Sequence, residues 1–168
     1  MRLKAGDIFT IPVSEQETGY GQIINIPDKS TFIIVVFQKI YKIEMTPVLE
    51  EICKDDILFG GYTMDALLYH KKWVIIGNFS LNIDKIKLPY YKLGTPPNMR
   101  IVDFKAEQKI RDATKEEFEQ LDYLTVVAPI RFQLALQAYH KMGEWKDYYS
   151  ELYYERVLES IRVVEKLS

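Results

Sequence analysis

The chain has one cysteine and two histidines in 168 residues. A single thiol, Cys53, excludes an intramolecular disulfide framework and suits a reducing compartment. His70 and His140 stand far apart, with no cysteine or carboxylate at ligand spacing, whereas a zinc site wants three or four such ligands. Both read as ordinary, partly exposed histidines. A positive excess is missing too. The chain carries 22 basic against 24 acidic residues, a net charge of -2, and a duplex nucleic-acid binder needs basic excess to neutralise phosphates. No uncharged run approaches the roughly 20 residues of a bilayer span. The opening Met1-Arg2-Leu3-Lys4-Ala5-Gly6-Asp7 lacks the apolar stretch of a signal peptide. The expectation is a cytoplasmic protein that touches neither membrane nor nucleic acid directly.

Motifs for chemistry are equally scarce. Cys53 sits in Glu50-Glu51-Ile52-Cys53-Lys54-Asp55-Asp56, where neighbouring acids raise a thiol pKa that a nucleophile needs lowered. Asp55 and Asp56 are adjacent, and on a strand they would point to opposite sides, poorly placed to share an ion. Gly19-Tyr20-Gly21 and Gly60-Gly61 match neither a phosphate loop nor a dinucleotide fingerprint, and read as bends or bulges. No serine has the glycine frame of a nucleophile elbow. The residues therefore predict no catalytic group, no metal ligand and no cofactor, and a chain that acts by binding rather than by chemistry.

What is present is a strand-rich first part and a helical last part. Ile8 to Val13, Gln22 to Ile26, Thr31 to Phe37, Asp55 to Phe59 and Trp73 to Gly77 have the β-branched and aromatic content of strands. Thr31 to Phe37 is apolar on both faces and predicts a central, covered strand. Met64 to Tyr69 fits a strand or a helical turn equally. Leu88 to Pro97 is irregular, and Arg100 to Phe104 with Gln108 to Arg111 suggests a final hairpin. Thr114-Lys115-Glu116-Glu117 has the form of a capping box. Pro129 suits a first helical position and Gly143 a C-cap, with Phe132, Ala135, Leu136 and Tyr139 at helical spacing between them. A last helix is predicted from about Trp145 to Lys166, with Tyr149, Leu152, Tyr153, Val157, Ile161 and Val164 as its apolar stripe. The fold class is α+β: a twisted antiparallel sheet, barrel-like if it closes, with a C-terminal helical hairpin on or beside it. The chain reads as one domain over 1–168, strand-rich to about 112 and helical from about 114.

Along the predicted last helix Asp147, Glu151, Glu155 and Glu159 follow at successive i, i+4 positions. Like charges so stacked cost a few tenths of a kcal/mol per pair, with partial relief from Arg156, Arg162 and Lys166. The ridge is either a solvated face or an acidic surface for a basic partner. Tyr148 and Tyr154 would flank the apolar stripe, as rim packing or as interface anchors. These six residues are the candidate partner-binding set.

Several stretches together resemble the bacterial polymorphic-toxin immunity proteins of immunity protein family 26. They are Gly6-Asp7-Ile8-Phe9-Thr10-Ile11-Pro12 followed by Gly19-Tyr20-Gly21-Gln22-Ile23, Trp73-Val74-Ile75-Ile76-Gly77 with Leu88-Pro89 and Lys92-Leu93-Gly94, and Arg111-Asp112-Ala113-Thr114 with Ala128-Pro129-Ile130 through Glu144-Trp145. The resemblance implies a non-enzymatic antitoxin that binds a secreted or contact-delivered toxin and protects the producer and its kin. A basic nuclease is the kind of toxin an acidic ridge would suit. Two other readings stay open: a small metal-dependent hydrolase of the phosphotriesterase type, which the family name also touches, and an interaction module unrelated to toxins.

Overall fold

The computed structural model describes residues 2–103 and 109–166. In chain order the elements are β1 (Asp7–Pro12), β2 (Glu17–Asn25), β3 (Thr31–Phe37), β4 (Tyr41–Lys42), α1 (Leu49–Ile52), β5 (Ile57–Met64), α2 (Ala66–Tyr69) and β6 (Ile75–Asn78). They continue with β7 (Tyr91–Leu93), β8 (Arg100–Val102), β9 (Lys109–Asp112), α3 (Lys115–Gln120), β10 (Val126–Val127), α4 (Pro129–Tyr139) and α5 (Tyr154–Glu165), with a 3-10 segment at Asp147–Leu152. The fold is α+β, with helices concentrated in the C-terminal part. The chain forms two compact units. The first comprises the chain up to Ile86 with Val126–Tyr154, and the second Lys87–Thr125 with the chain from Glu155 onward.

In the first unit the strands are ordered β10-β5-β3-β2-β1-β6, with β4 pairing separately on β2. All pairs are antiparallel except β10 with β5. The sheet is twisted and open, running from the short edge strand β10 to β6, rather than closing as a barrel. Its centre is the strand with the strongest β signal: every residue from Phe32 to Phe37 is buried between β2 and β5. Helix α4 lays Phe132, Ala135 and Leu136 against Phe9, Ile11, Ile23, Ile34 and Phe59.

That contact explains two glycines that read as bends. Gly19 and Gly21 lie inside β2, two residues apart and so on one face. A Cβ on Gly19 would meet Leu136 Cδ2 at 2.5 Å, and one on Gly21 would meet the Phe9 ring at 2.5 Å. The glycines are where helix and aromatic ring come down onto the sheet. Phe9 in turn stacks on Trp73, centroids 4.9 Å apart, and Trp73 Nε1 donates to Gln133 Oε1 on α4 at 3.0 Å.

Other expectations are corrected. Gly60 and Gly61 do not interrupt the chain; they sit within β5, paired with Val35 and Ile34. The ambiguous stretch from Met64 to Tyr69 divides, Met64 ending β5 and Ala66–Tyr69 forming α2. Gly143 does not cap α4. The left-handed position is Lys141, at φ 64°, with Lys141 N–H donating to Ala138 O and Met142 N–H to Gln137 O, the pattern of a Schellman ending. Helix α2 ends the same way at Lys71, φ 56°, with the same Tyr-His-Lys sequence. The predicted last helix is interrupted: a 3-10 segment runs to Leu152, Tyr153 is extended, and α5 starts at Tyr154. Its apolar residues are nonetheless those expected, because Tyr149, Leu152, Val157, Ile161 and Val164 are buried. Tyr139, counted with the inward face of α4, is exposed.

The second unit holds the three-stranded sheet β7-β8-β9. It includes a strand in a stretch read as irregular. Of the predicted hairpin, Phe104 and Gln108 lie outside the described residues, while β8 and β9 pair antiparallel as expected. The core is Ile101, Ala113, Phe118, Leu121 and Val164. The capping box forms: Thr114 Oγ1 accepts from Glu117 N–H at 3.1 Å, and Glu117 Oε1 accepts from Thr114 N–H at 2.9 Å. Arg111 adds a bidentate pair to the same carboxylate, at 2.8 and 2.5 Å, and donates to Val164 O at the end of α5 at 3.0 Å. One guanidinium thus joins β9, α3 and α5.

Two predictions follow from this packing. Gly21→Ala forces a methyl into the fixed Phe9 ring and is expected to cost about 1–3 kcal/mol in denaturant unfolding. Gly143→Ala, whose Cβ finds nothing closer than 3.9 Å, is expected to be near neutral in the same measurement. The Arg111 hydrogen bonds pull the Glu117 carboxyl from its ordinary 4.5 down to about 2. The folded chain therefore binds this proton less readily than the unfolded one, so the stabilisation is complete above about pH 4.5 and is lost as pH falls toward 2. Acid titration of stability should show a smaller loss in that window for Glu117→Gln than for the wild type.

Candidate functional site

The six residues proposed from sequence do not lie on one continuous α-helix. Asp147, Tyr148 and Glu151 lie in the 3-10 segment, at three residues per turn, which turns Asp147 and Glu151 about 120° apart. Glu155 and Glu159 lie one turn apart on α5 in the second unit, and both accept from Arg162 Nη1, at 3.0 and 2.7 Å. Arg156 is engaged with Asp122, its Nε donating at 2.9 Å. The charge on Glu155 and Glu159 is thus met inside the chain, through exposed pairs worth little to stability. Asp147 and Glu151 are exposed and make no ion pair among the described residues.

The tyrosines divide as well. Trp145 stacks on Tyr153 at 5.6 Å and meets Tyr149 edge-on at 5.4 Å, while Phe59 meets Tyr153 at 5.5 Å. Tyr154 lies over Gly60, whose Cβ would come within 3.1 Å of its ring. The aromatic residues of this segment are mostly packing. Tyr148 differs: it is 48% exposed, edge-on to Tyr149, with the Arg131 guanidinium 4.9 Å from its ring centroid. Of the proposed anchors it is the one whose ring is presented to solvent.

The residues weighed for chemistry are placed apart. His70 and His140 each occupy the C-cap of a short helix, edge-on to Tyr69 and Tyr139. His140 Nε2 lies 2.7 Å from Gln38 O. Asp55 Oδ2 accepts from Tyr41 Oη at 2.5 Å, and burial with this carboxylate pushes the Tyr41 hydroxyl pKa upward. Cys53 is half-buried, and burial, then Asp55, pushes its thiol up to about 11. Among the described residues no group of three or more His, Cys, Asp or Glu is arranged to hold a metal ion, and no helix is long and apolar enough to cross a membrane.

A surface that periodicity did not single out lies between β3 and β5. Residues 42–46 are all exposed, and Ile43, Met45 and Val48 are 55, 54 and 53% exposed. Beside them an open recess of about 530 Å³ is lined by Gln38, Lys39, Ile40, Lys54, Asp55, Asp56 and His140. The signal available in sequence was local: Tyr41-Lys42-Ile43-Glu44-Met45 alternates apolar with charged residues just before Pro47.

The class defined by these observations is an α+β protein whose described residues present exposed apolar and charged surfaces. The family model described as Immunity protein 26 matches residues 4–100, more than half of the chain, and the protein belongs to that family. The match runs from the residues before β1 to the start of β8. Comparison with curated proteins and with solved structures finds no significant match.

The thiol supplies a test of the non-reactive reading of Cys53. With its pKa near 11 instead of 9.0, the thiolate fraction at pH 8 falls about a hundredfold. Iodoacetamide alkylation of the folded protein is expected at about one hundredth of the rate of free cysteine, measured by mass spectrometry; a rate equal to free cysteine contradicts it.

Proposed function

We propose that this protein is an immunity protein that binds a cognate bacterial toxin, secreted or delivered by contact, and neutralises it stoichiometrically in the cytoplasm of the producing cell. The observation that carries the reading is membership of the Immunity protein 26 family. The reading takes inhibition to be a matter of occlusion and complementary charge, with no turnover by this chain. Asp147, Tyr148, Glu151, Tyr154, Glu155 and Glu159 remain proposed contacts, with Asp147, Tyr148 and Glu151 first among them because they are exposed and, among the described residues, Arg162 pairs with Glu155 and Glu159 instead. A basic toxin surface, such as that of a nuclease, suits such acids because opposite charge speeds association.

The test is co-expression with the toxin domain encoded beside this chain's own gene. Growth should be restored and a stable complex of fixed stoichiometry recovered. Growth arrest despite folded protein at equal abundance removes the proposal, and metal-dependent turnover of phosphoesters by the purified chain replaces it with a hydrolase. Reversal of Glu151 and Glu155 to Lys is expected to weaken the complex and flatten its salt dependence; unchanged values assign those acids to a solvated face.

A further inference from the structure

The segment from Gln38 to Asp56, with the Ser14–Glu17 turn that pairs against it, differs from the rest of the chain in charge, exposure and bracing. It holds seven of the 24 acidic residues (Glu15, Glu17, Glu44, Glu50, Glu51, Asp55 and Asp56) but three of the 22 basic ones. More than the whole negative excess is therefore concentrated here, and elsewhere the bases outnumber the acids. Among the described residues these acids make one ion pair, the exposed Glu50–Lys54 contact at 3.7 Å. Glu17 stands opposite Lys42 in the strand register without such a bond, and Lys39 is drawn over the Tyr41 ring at 5.0 Å. The helical acids are matched differently, since Glu155 and Glu159 share Arg162 and Glu117 holds Arg111.

The apolar tips are exposed without the segment being loose. Strand β4 is paired to β2, Ile43 N–H donates to Gln16 O at 2.9 Å, and Met45 N–H donates to Lys42 O at 3.1 Å. After the tip, Leu49 fills the space over Gly77, where a Cβ would meet its Cδ1 at 2.7 Å, and Ile52 is buried. Tyr41 is fixed edge-on to Tyr20 and hydrogen-bonded to Asp55. Anchored on both sides, Ile43, Met45 and Val48 stay in water. Three such side chains fall within six residues of one braced loop, and grouped exposed apolar residues mark interaction sites where isolated ones do not. Exposed apolar residues set among acids that outnumber their bases have the anatomy of an interface: an apolar centre within a polar, charged rim.

We infer that this braced loop is the docking face of the protein, with Ile43, Met45 and Val48 as its apolar centre, and that its occupant is a protein surface with an apolar depression ringed by lysine or arginine. Charge complementarity selects that occupant over a second copy of the chain, whose own loop would bring like charges together. A basic side chain of the partner fits the adjoining recess, where Asp56 is exposed and Asp55 contributes its second oxygen. The inference rests on the immunity reading for the partner's identity, and it names the surface that reading leaves open.

The experiment titrates the full chain with the toxin domain encoded beside its gene, at low and moderate salt, with oligomeric state measured in parallel. Ile43→Ser/Met45→Ser removes apolar tips that are more than half exposed, so the thermal midpoint should not move, while affinity falls about tenfold or more. Glu44→Lys/Glu51→Lys should slow association about tenfold and reduce its salt dependence. Both effects should exceed that of reversing Glu151 and Glu155. Wild-type binding that neither loop variant alters overturns the loop assignment alone. Absence of binding by the wild type overturns the immunity reading and the docking face with it. A wild-type dimer that the serine variant converts to monomer also overturns the inference, because the occupant is then a second copy.

Discussion

The first unit depends on one close approach. Phe9 and Leu136 reach the sheet at Gly21 and Gly19, the two positions of β2 where any side chain would occupy their place. With Phe9 seated there, its ring is flat against Trp73, and Trp73 reaches Gln133 on α4 by a hydrogen bond. The edge of the sheet, its centre and its covering helix are thereby held through one aromatic pair. The indole N–H matters because a buried donor without an acceptor is costly. Gln22 is also fully buried, exchanging hydrogen bonds with Asn82 and donating to Phe79 O at 2.6 Å, so its amide is satisfied too.

The second unit uses a polar fastening instead. Its apolar core is small, and Arg111 meets the Glu117 carboxylate, itself part of a helix cap, and a terminal carbonyl of α5. Bidentate geometry makes this pair specific in direction as well as favourable in energy. Lys92 performs a related task at the other end of α3, donating to Phe118 O at 2.7 Å while its ammonium lies over the Phe118 and Tyr123 rings. Short strands and a short helix are thus ordered by charged side chains that find their partners within the unit.

The same distinction separates the two surfaces that bear on function. On α5 Glu155 and Glu159 answer to Arg162; around β4 and α1, among the described residues, the acids form an ion pair only with Lys54. A loop whose backbone is paired, whose flanks are packed and whose tip remains apolar requires little ordering when a partner arrives, and that ordering is a principal cost of association. The contrast between internally matched and unmatched charge is a property of the folded chain, invisible in a count of 24 acids and 22 bases.

The α+β class, the strands β1 and β3, the Thr114 capping box and the Pro129 start of α4 were legible in sequence because each rests on local chemistry: β-branched runs, a reciprocal side-chain to backbone bond, a fixed φ. The apolar stripe through Tyr149, Leu152, Val157, Ile161 and Val164 was legible too, since burial follows side-chain character even where the helix is interrupted. The candidate ridge was read on the assumption of continuous α-helix, and the extended Tyr153 ended that spacing between Glu151 and Glu155. The Gly19 and Gly21 pair reads in sequence as a bend or bulge, because a sequence does not show that Phe9 and Leu136 arrive above it. By itself the sequence determined which residues seek the interior and where elements begin, because those are properties of each side chain and its immediate neighbours. Tertiary structure alone decided which glycines must remain bare, which acids are neutralised and which apolar side chains stay in water, because each depends on what the rest of the chain brings alongside.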